Sequence, residues 1–158
     1  MGAGNQQDRL DADWVVGFVD GEGCFHVAFN RQPRMRLGWQ VLPEFRVVQH
    51  GRDVQILQRL QSFFGCGRVA VNHGDRMELR VRGMMDLEKV CAFFEEHPLQ
   101  TKKDDDRRNF ARITAMMRAG QHLVPDGLRA IARLALLMNT KTNREASRIL
   151  RGHMPNTI

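Results

Sequence analysis

The sequence predicts an α+β fold, and three observations carry that reading. An early helical stretch is followed by two alternating segments, 24–31 and 39–49. One amphipathic helix then leads to a second alternating pair, 68–72 and 76–82. From residue 86 onward the pattern is helical almost to the end. Strands that come in runs, rather than one strand per helix, mark the α+β class.

Asp11 or Asp13 supplies an N-cap for a short helix beginning near Trp14, because a carboxylate there accepts otherwise unbonded backbone N–H groups. The apolar run WVVGFVD is broken by DGEG. In CFHVAFNR, Phe25, Val27 and Phe29 alternate with His26, Ala28 and Asn30, the period of a half-buried strand. RQPRMRLG reads as a turn. In 39–49, Phe45 and Val47 oppose Glu44 and Arg46. Pro43 predicts a bulge there, since proline cannot donate to a ladder.

Residues 53–64 place Val54, Leu57, Leu60, Phe63 and Phe64 on one helical stripe, ended by Gly65-Cys66-Gly67. The next two segments form a hairpin across His73-Gly74-Asp75. Val69, Val71, Met77, Leu79 and Val81 share one parity; Arg68, Asn72, Arg76, Glu78, Arg80 and Arg82 share the other. Helices are expected at 86–96 (stopped by Pro98), about 102–119, 126–139 and 143–151, with Gly120 and Pro125 dividing two of them. There is no internal repeat. The expectation is one domain over 1–158 with its core at about 10–150.

Hydrophobic residues make up 42% and charged residues 27%, a globular balance that excludes disorder. No apolar run reaches the ~18 residues a membrane span needs. The first thirteen residues, MGAGNQQDRLDAD, are polar and slightly acidic, unlike a secretory signal or a basic transit peptide. Gln6 stands where a myristoylation signal wants Ser or Thr. No targeting address is visible, and with Cys24, Cys66 and Cys91 odd in number and lacking C-x-x-C spacing, a reducing intracellular setting is expected: a bacterial or archaeal cytoplasm, or an organelle that encodes the chain.

The net charge is +6 and is unevenly placed. Residues 1–99 carry 12 basic against 13 acidic side chains, whereas 100–158 carry 12 against 5. Twenty of the 24 basic residues are Arg, whose planar fork matches phosphates and guanine edges. A four-stranded sheet covered by helices on one face leaves the other face exposed. That exposed parity carries His26, Asn30, Gln40, Arg46, Arg68, Asn72, Arg76, Arg80 and Arg82, with Arg31 at the end of the first strand. A plain solvated face mixes signs and favours Lys and Thr. The Arg and amide bias instead points to base edges in a major groove.

Asp20-Gly21-Glu22-Gly23 closes the first helix. Helix C-termini carry partial negative charge, so two acids there are misplaced by a few tenths to ~1 kcal/mol each. Residues two apart do not share a helical face, which puts Glu22 just past the last turn and pointing away from Asp20. A divalent cation would offset the crowding, and carboxylate plus carbonyl oxygen suits Mg²⁺. On its own the segment also reads as a solvated turn. It is not an EF-hand, because Cys24 stands at the fifth loop position.

Residues 14–25, WVVGFVDGEGCF, resemble the LAGLIDADG motif of homing endonucleases and related maturases. Val15, Val16, Gly17, Phe18, Val19, Asp20, Gly21, Glu22 and Gly23 fill its nine positions, with apolar for apolar and Glu for the final acid. The resemblance covers about residues 10–150. It implies an αββαββα domain with a curved four-stranded antiparallel sheet and helices on one face. It further implies a homodimer in which two motif helices pack across a two-fold axis through Val16, Gly17, Val19 and Asp20, reading a palindromic or near-palindromic double-stranded DNA site.

The implied reaction is phosphodiester hydrolysis, with Mg²⁺ or another divalent cation such as Mn²⁺ held by Glu22 and the Gly21 carbonyl. Asp20 either joins the metal or braces the helix end. The resemblance also implies a polar shell: Gln49 at the end of the second strand, Arg52 in the next turn (register leaves Asp53 open there), and Lys102 or Lys103 before the long helix. Asn139, Thr140, Lys141, Thr142 and Arg144 would contact phosphates. Two alternatives stay in view: an intron RNA maturase on the same scaffold, and a catalytically silent DNA-binding protein.

Overall fold

The chain begins its first helix, α1 (Ala12–Glu22), where Asp11 accepts hydrogen bonds from the backbone N–H groups of Asp13 and Trp14 at 2.8 and 3.4 Å. A computed structural model describes residues 9–139 and 142–152. After α1 come β1 (Gly23–Arg31), β2 (Trp39–His50), α2 (Val54–Phe64), β3 (Arg68–His73), β4 (Arg76–Val81), α3 (Met84–Glu96), α4 (Lys103–Arg118), α5 (Pro125–Leu136) and α6 (Arg144–Leu150). The four strands form one sheet in the order β1-β2-β4-β3. The α+β class and the paired-strand order are as the sequence predicts.

The chain divides into two compact units. The first holds residues 1–24 and 45–101: α1, the second half of β2, α2, β3, β4 and α3. Its centre is a ring cluster. Phe45, Phe64 and Phe94 are buried, with centroids 5.8 Å apart for Phe45–Phe64 and 6.0 Å for Phe64–Phe94. Phe63 and Phe93 pack edge-on beside them at 5.1 Å. Such rings add ~1 kcal/mol per favourable pair beyond the area they bury. β4 pairs antiparallel with β2 (Phe45↔Val81 to His50↔Arg76) and with β3 (Arg68↔Arg80 to His73↔Arg76).

The second unit holds residues 25–44 and 102–158. Phe25, Val27 and Phe29 of β1 and Trp39 and Val41 of β2 are buried. So are Phe110 and Ile113 of α4, Leu128 and Ile131 of α5, and Ile149 of α6. Phe25 and Phe110 bring their rings to 5.3 Å. Asn139 and Asn143, ahead of α6, donate their amides to the Phe25 and Val27 carbonyls of β1, each at 2.9 Å.

Several local expectations are corrected. β2 is assigned as one strand through Pro43, and Trp39, Val41, Pro43, Phe45 and Val47 stay buried on one parity, with Glu44 buried beside the proline. A register shift lies in β3 between Val71 and His73, and Val71, the last residue in register before it, is 65% exposed. Arg31 keeps the parity of Phe25, Val27 and Phe29, and its guanidinium lies 5.1 Å from the centre of the Trp39 ring. It lies exposed at the end of β1 and packs over Trp39. Lys141, with Thr140, lies outside the described residues.

Candidate active site and nucleic-acid face

α1 buries Val15, Val16 and Val19, the stripe expected of residues at one, two and five in a helix. α1 passes into β1 with no loop, and Gly23 is the joint. A Cβ on Gly23 would lie 2.6 Å from the Val19 side chain and 2.9 Å from its carbonyl, so no other residue fits. The Gly23 N–H bonds that same carbonyl and closes the helix. Glu22 is the last residue of α1 rather than one beyond it.

The two acids of the motif do different things. Asp20 reaches a segment eighty residues away: its carboxylate accepts the backbone N–H of Gln100 (2.6 Å), the N–H of Thr101 (3.3 Å) and the Thr101 hydroxyl (2.5 Å). It is a brace. Glu22 is exposed, and among the described residues nothing pairs with its carboxylate. The Gly21 carbonyl is one of the terminal carbonyls that a helix leaves without an internal donor. No three His, Cys, Asp or Glu among the described residues gather into a cation site. The chain thus offers one carboxylate and one carbonyl, an oxygen set whose remaining positions would fall to water and phosphate.

On the helix surface Gly17 and Gly21 are four apart and share a face. A Cβ added to either meets nothing within 4 Å, so packing inside the chain does not require these glycines. Trp14, on the same side, is 41% exposed and stacks on Phe18 at 4.8 Å. Val19 is fully buried and Val16 is 8% exposed. Both are spent on the chain's own core, which leaves Gly17, Gly21 and Trp14 as the outward surface.

Gln49 is half-buried one residue before the end of β2, and its amide donates to the Val48 carbonyl at 2.9 Å. Arg52 stands in a single 3-10 turn, Gly51–Asp53, with its side chain 78% exposed and 3.7 Å from Asp53. His50, which the sequence reading passed over, organises that turn. Its Nδ1 accepts the Arg52 N–H at 3.1 Å, and its Nε2 lies 3.0 Å from Asp75. Lys102 is exposed at the N-cap of α4, and Lys103 is the first residue of that helix.

On the polar parity, Asn30, Gln40, Arg68, Asn72, Arg76 and Arg82 are exposed, while His26, Arg46 and Arg80 are half-buried. Arg144, at the start of α6, is exposed. The residue the sequence reading missed is Glu78. It belongs to the same parity yet is only 3% exposed. Its carboxylate meets Arg80 Nη2 at 2.5 Å, the Asn72 amide at 2.9 Å and Arg46 Nη1 at 3.8 Å.

A family model described as LAGLIDADG endonuclease matches residues 15–114. The chain belongs to that family. A crystal structure of the homing endonuclease I-TnaI superposes with a TM-score of 0.87 at 54% identity, covering 90% of this chain and 97% of that one. Meganuclease I-SmaMI bound to uncleaveable DNA gives a TM-score of 0.80 at 30% identity over 82% of this chain and 45% of that one. Probable intron-encoded endonuclease 3 of Neurospora crassa is 30% identical over 129 residues, 80% of this chain. The chain spans only 24% to 32% of the length of that relative and two similar curated proteins. No described helix is long and apolar enough to cross a membrane.

Proposed function

We propose that this chain is one subunit of a homodimeric homing endonuclease that cuts both strands of a long, near-palindromic DNA site by metal-dependent phosphodiester hydrolysis. The observation that carries the reading is Glu22: an exposed carboxylate that pairs with nothing among the described residues, held at the negative end of the motif helix by a joint that favours glycine. A lone acid at that end is unfavourable for folding. It makes sense as a ligand.

In this reading residues 1–158 form a single endonuclease domain with its core at about 10–150. Glu22 and the Gly21 carbonyl hold a divalent cation, Mg²⁺ or Mn²⁺, which when bound lowers the pKa of water and offsets charge on the scissile phosphate. Gln49 donates to Val48 and keeps its Oε1 available to orient the attacking water. Arg52 binds phosphate. Lys102 or Lys103 stabilises the charge that develops on the leaving oxygen. Asp20 does not ligate; by fixing Gln100 and Thr101 it sets the start of the segment that carries the lysines. The polar strand residues read base edges, and Arg144 and Lys141 bind phosphate. The setting is intracellular.

The second subunit follows from Gly17 and Gly21. Nothing among the described residues requires glycine at either position, whereas close approach of two helix backbones does. A two-fold pair brings two Glu22 together, one for each DNA strand. The named activities among the matched relatives are endonucleolytic, which favours a nuclease over a maturase.

The test is selection of cleaved sites from a randomised duplex library, in Mg²⁺ and in EDTA. Mg²⁺-dependent double-strand cuts at a near-palindromic site are expected. Tight binding without cutting would leave a silent DNA-binding protein. Gly17→Leu should turn a dimer into a monomer in sedimentation, and a dimer that survives the change would contradict the helix interface.

A further inference from the structure

Three arginines face one another across three neighbouring strands of the first unit. Arg46 of β2 is opposite Arg80 of β4, and Arg80 is opposite Arg68 of β3. Like charges placed directly across a sheet repel. The next row on the same face is Val48, Glu78 and Ala70. Short apolar neighbours on both sides explain how a carboxylate on the polar face comes to be 3% exposed. From there Glu78 holds Arg80, Asn72 and Arg46, whose side chains Arg80 and Arg46 stay 34% and 32% exposed. Beside it lies a groove of about 500 Å³ lined by Arg68, Arg80, Arg82, Glu78 and Asp86 among others.

An interface that only neutralises phosphates gains nothing from a buried acid, which repels the backbone it would bind. A buried acid does help where a guanidinium must hold one orientation. Arginine has five donors. Glu78 meets Arg80 at Nη2 and the Arg80 Nε is buried, so a two-pronged contact with the O6 and N7 acceptors of guanine would use the outer edge of the fork, on a side chain that is 34% exposed. Fixing the fork in advance removes the entropy of ordering it on contact.

We infer that Glu78 is a specificity-determining positioning residue, which gives up some affinity for phosphate to aim Arg80, within the Arg46–Arg80–Arg68 row, at guanine in the major groove. This rests on the reading of the chain as a DNA-binding nuclease.

The test is selection of bound duplexes from a randomised library in EDTA, where nothing is cut, with the full-length chain. The variants are Glu78→Gln, Glu78→Asp and Arg80→Ala, each checked for thermal stability. The expected result has two parts. Arg80→Ala loses a guanine preference at one position of each half-site. Glu78→Gln loses about tenfold discrimination at that same position, the scale of one bidentate contact, while its affinity for random duplex rises. Glu78→Asp keeps the charge but shortens the reach, so it restores the random-duplex affinity and not the preference. If the Gln and Asp variants both keep the parental profile and only melt earlier, Glu78 is a structural counter-charge and the inference fails while DNA reading stands. If the parent shows no base preference, the DNA reading itself fails.

Discussion

Two acidic stretches at helix ends make an instructive pair. Asp20 and Glu22 sit at the C-terminal end of α1, where the helix dipole opposes them; Asp104, Asp105 and Asp106 sit in the first turn of α4, where it favours them. The favoured cluster is absorbed into structure. Asp104 grips Arg107 through two bonds of 3.0 and 3.3 Å and Arg108 through one of 3.0 Å. Asp106 accepts the Asn139 N–H at 3.3 Å. The opposed cluster splits, with Asp20 committed to Gln100 and Thr101 and Glu22 left exposed. Two of the aligned carboxylates, Asp104 and Asp106, serve architecture, whereas the opposed Glu22 is the one proposed to serve chemistry.

The largest expected effect breaks the pair apart. Glu22→Gln should lower cleavage by on the order of a thousandfold, equal to ~4 kcal/mol of barrier. Its melting temperature should hold or rise slightly, since an opposed charge is gone. A large drop in stability would put Glu22 among the structural acids. Asp104→Ala should do the reverse. Arg107 is 2% exposed, and removing one hydrogen-bond acceptor of a buried charged group costs about 2 kcal/mol of stability, readable in urea denaturation. Asp20→Asn falls between: it keeps an acceptor for Gln100 or Thr101 and should cost ~1 kcal/mol with a partial loss of cleavage. A full loss would return Asp20 to the metal.

The smallest effect concerns pH. Burial raises the carboxyl of Asp106 above the usual carboxylate range, against the lowering influence of the Asn139 N–H and the nearby lysines. The folded chain therefore holds this proton more tightly than the unfolded one, and its contribution to stability falls as pH rises through that raised range. Asp106→Asn retains an acceptor for Asn139 and removes the charge. Its melting temperature should equal or exceed the parent's at neutral pH, with the difference shrinking in acid. An equal difference at all pH values would contradict this.

Much of the fold was legible because its signals are local. The alternation in 24–31 and 39–49, the stripe from Val54 to Phe64, and the breaks at Gly65 and Pro98 need no knowledge of distant residues. Glu22 stands out as a candidate because nine consecutive residues carry the motif. The rest depended on pairing between distant segments. Asp20 finds its partners eighty residues on. Glu78 reads as one more polar strand residue until register places it between Val48 and Ala70 and in reach of three side chains. Val19 read as an interface residue because a helical stripe shows periodicity and not which neighbour covers it.

The asparagines that dock on β1 bear on how the molecule avoids unwanted company. β1 and β3 are the outer strands of the sheet, and an outer strand with unbonded carbonyls is a template on which another chain can add a strand. Asn139 and Asn143 cap two successive same-side carbonyls, those of Phe25 and Val27. At the opposite edge the irregularity after Val71 spoils the ladder a stacking chain would need. One margin is thus partly plugged and the other ends in a misfit, and both features disfavour fibril-like growth.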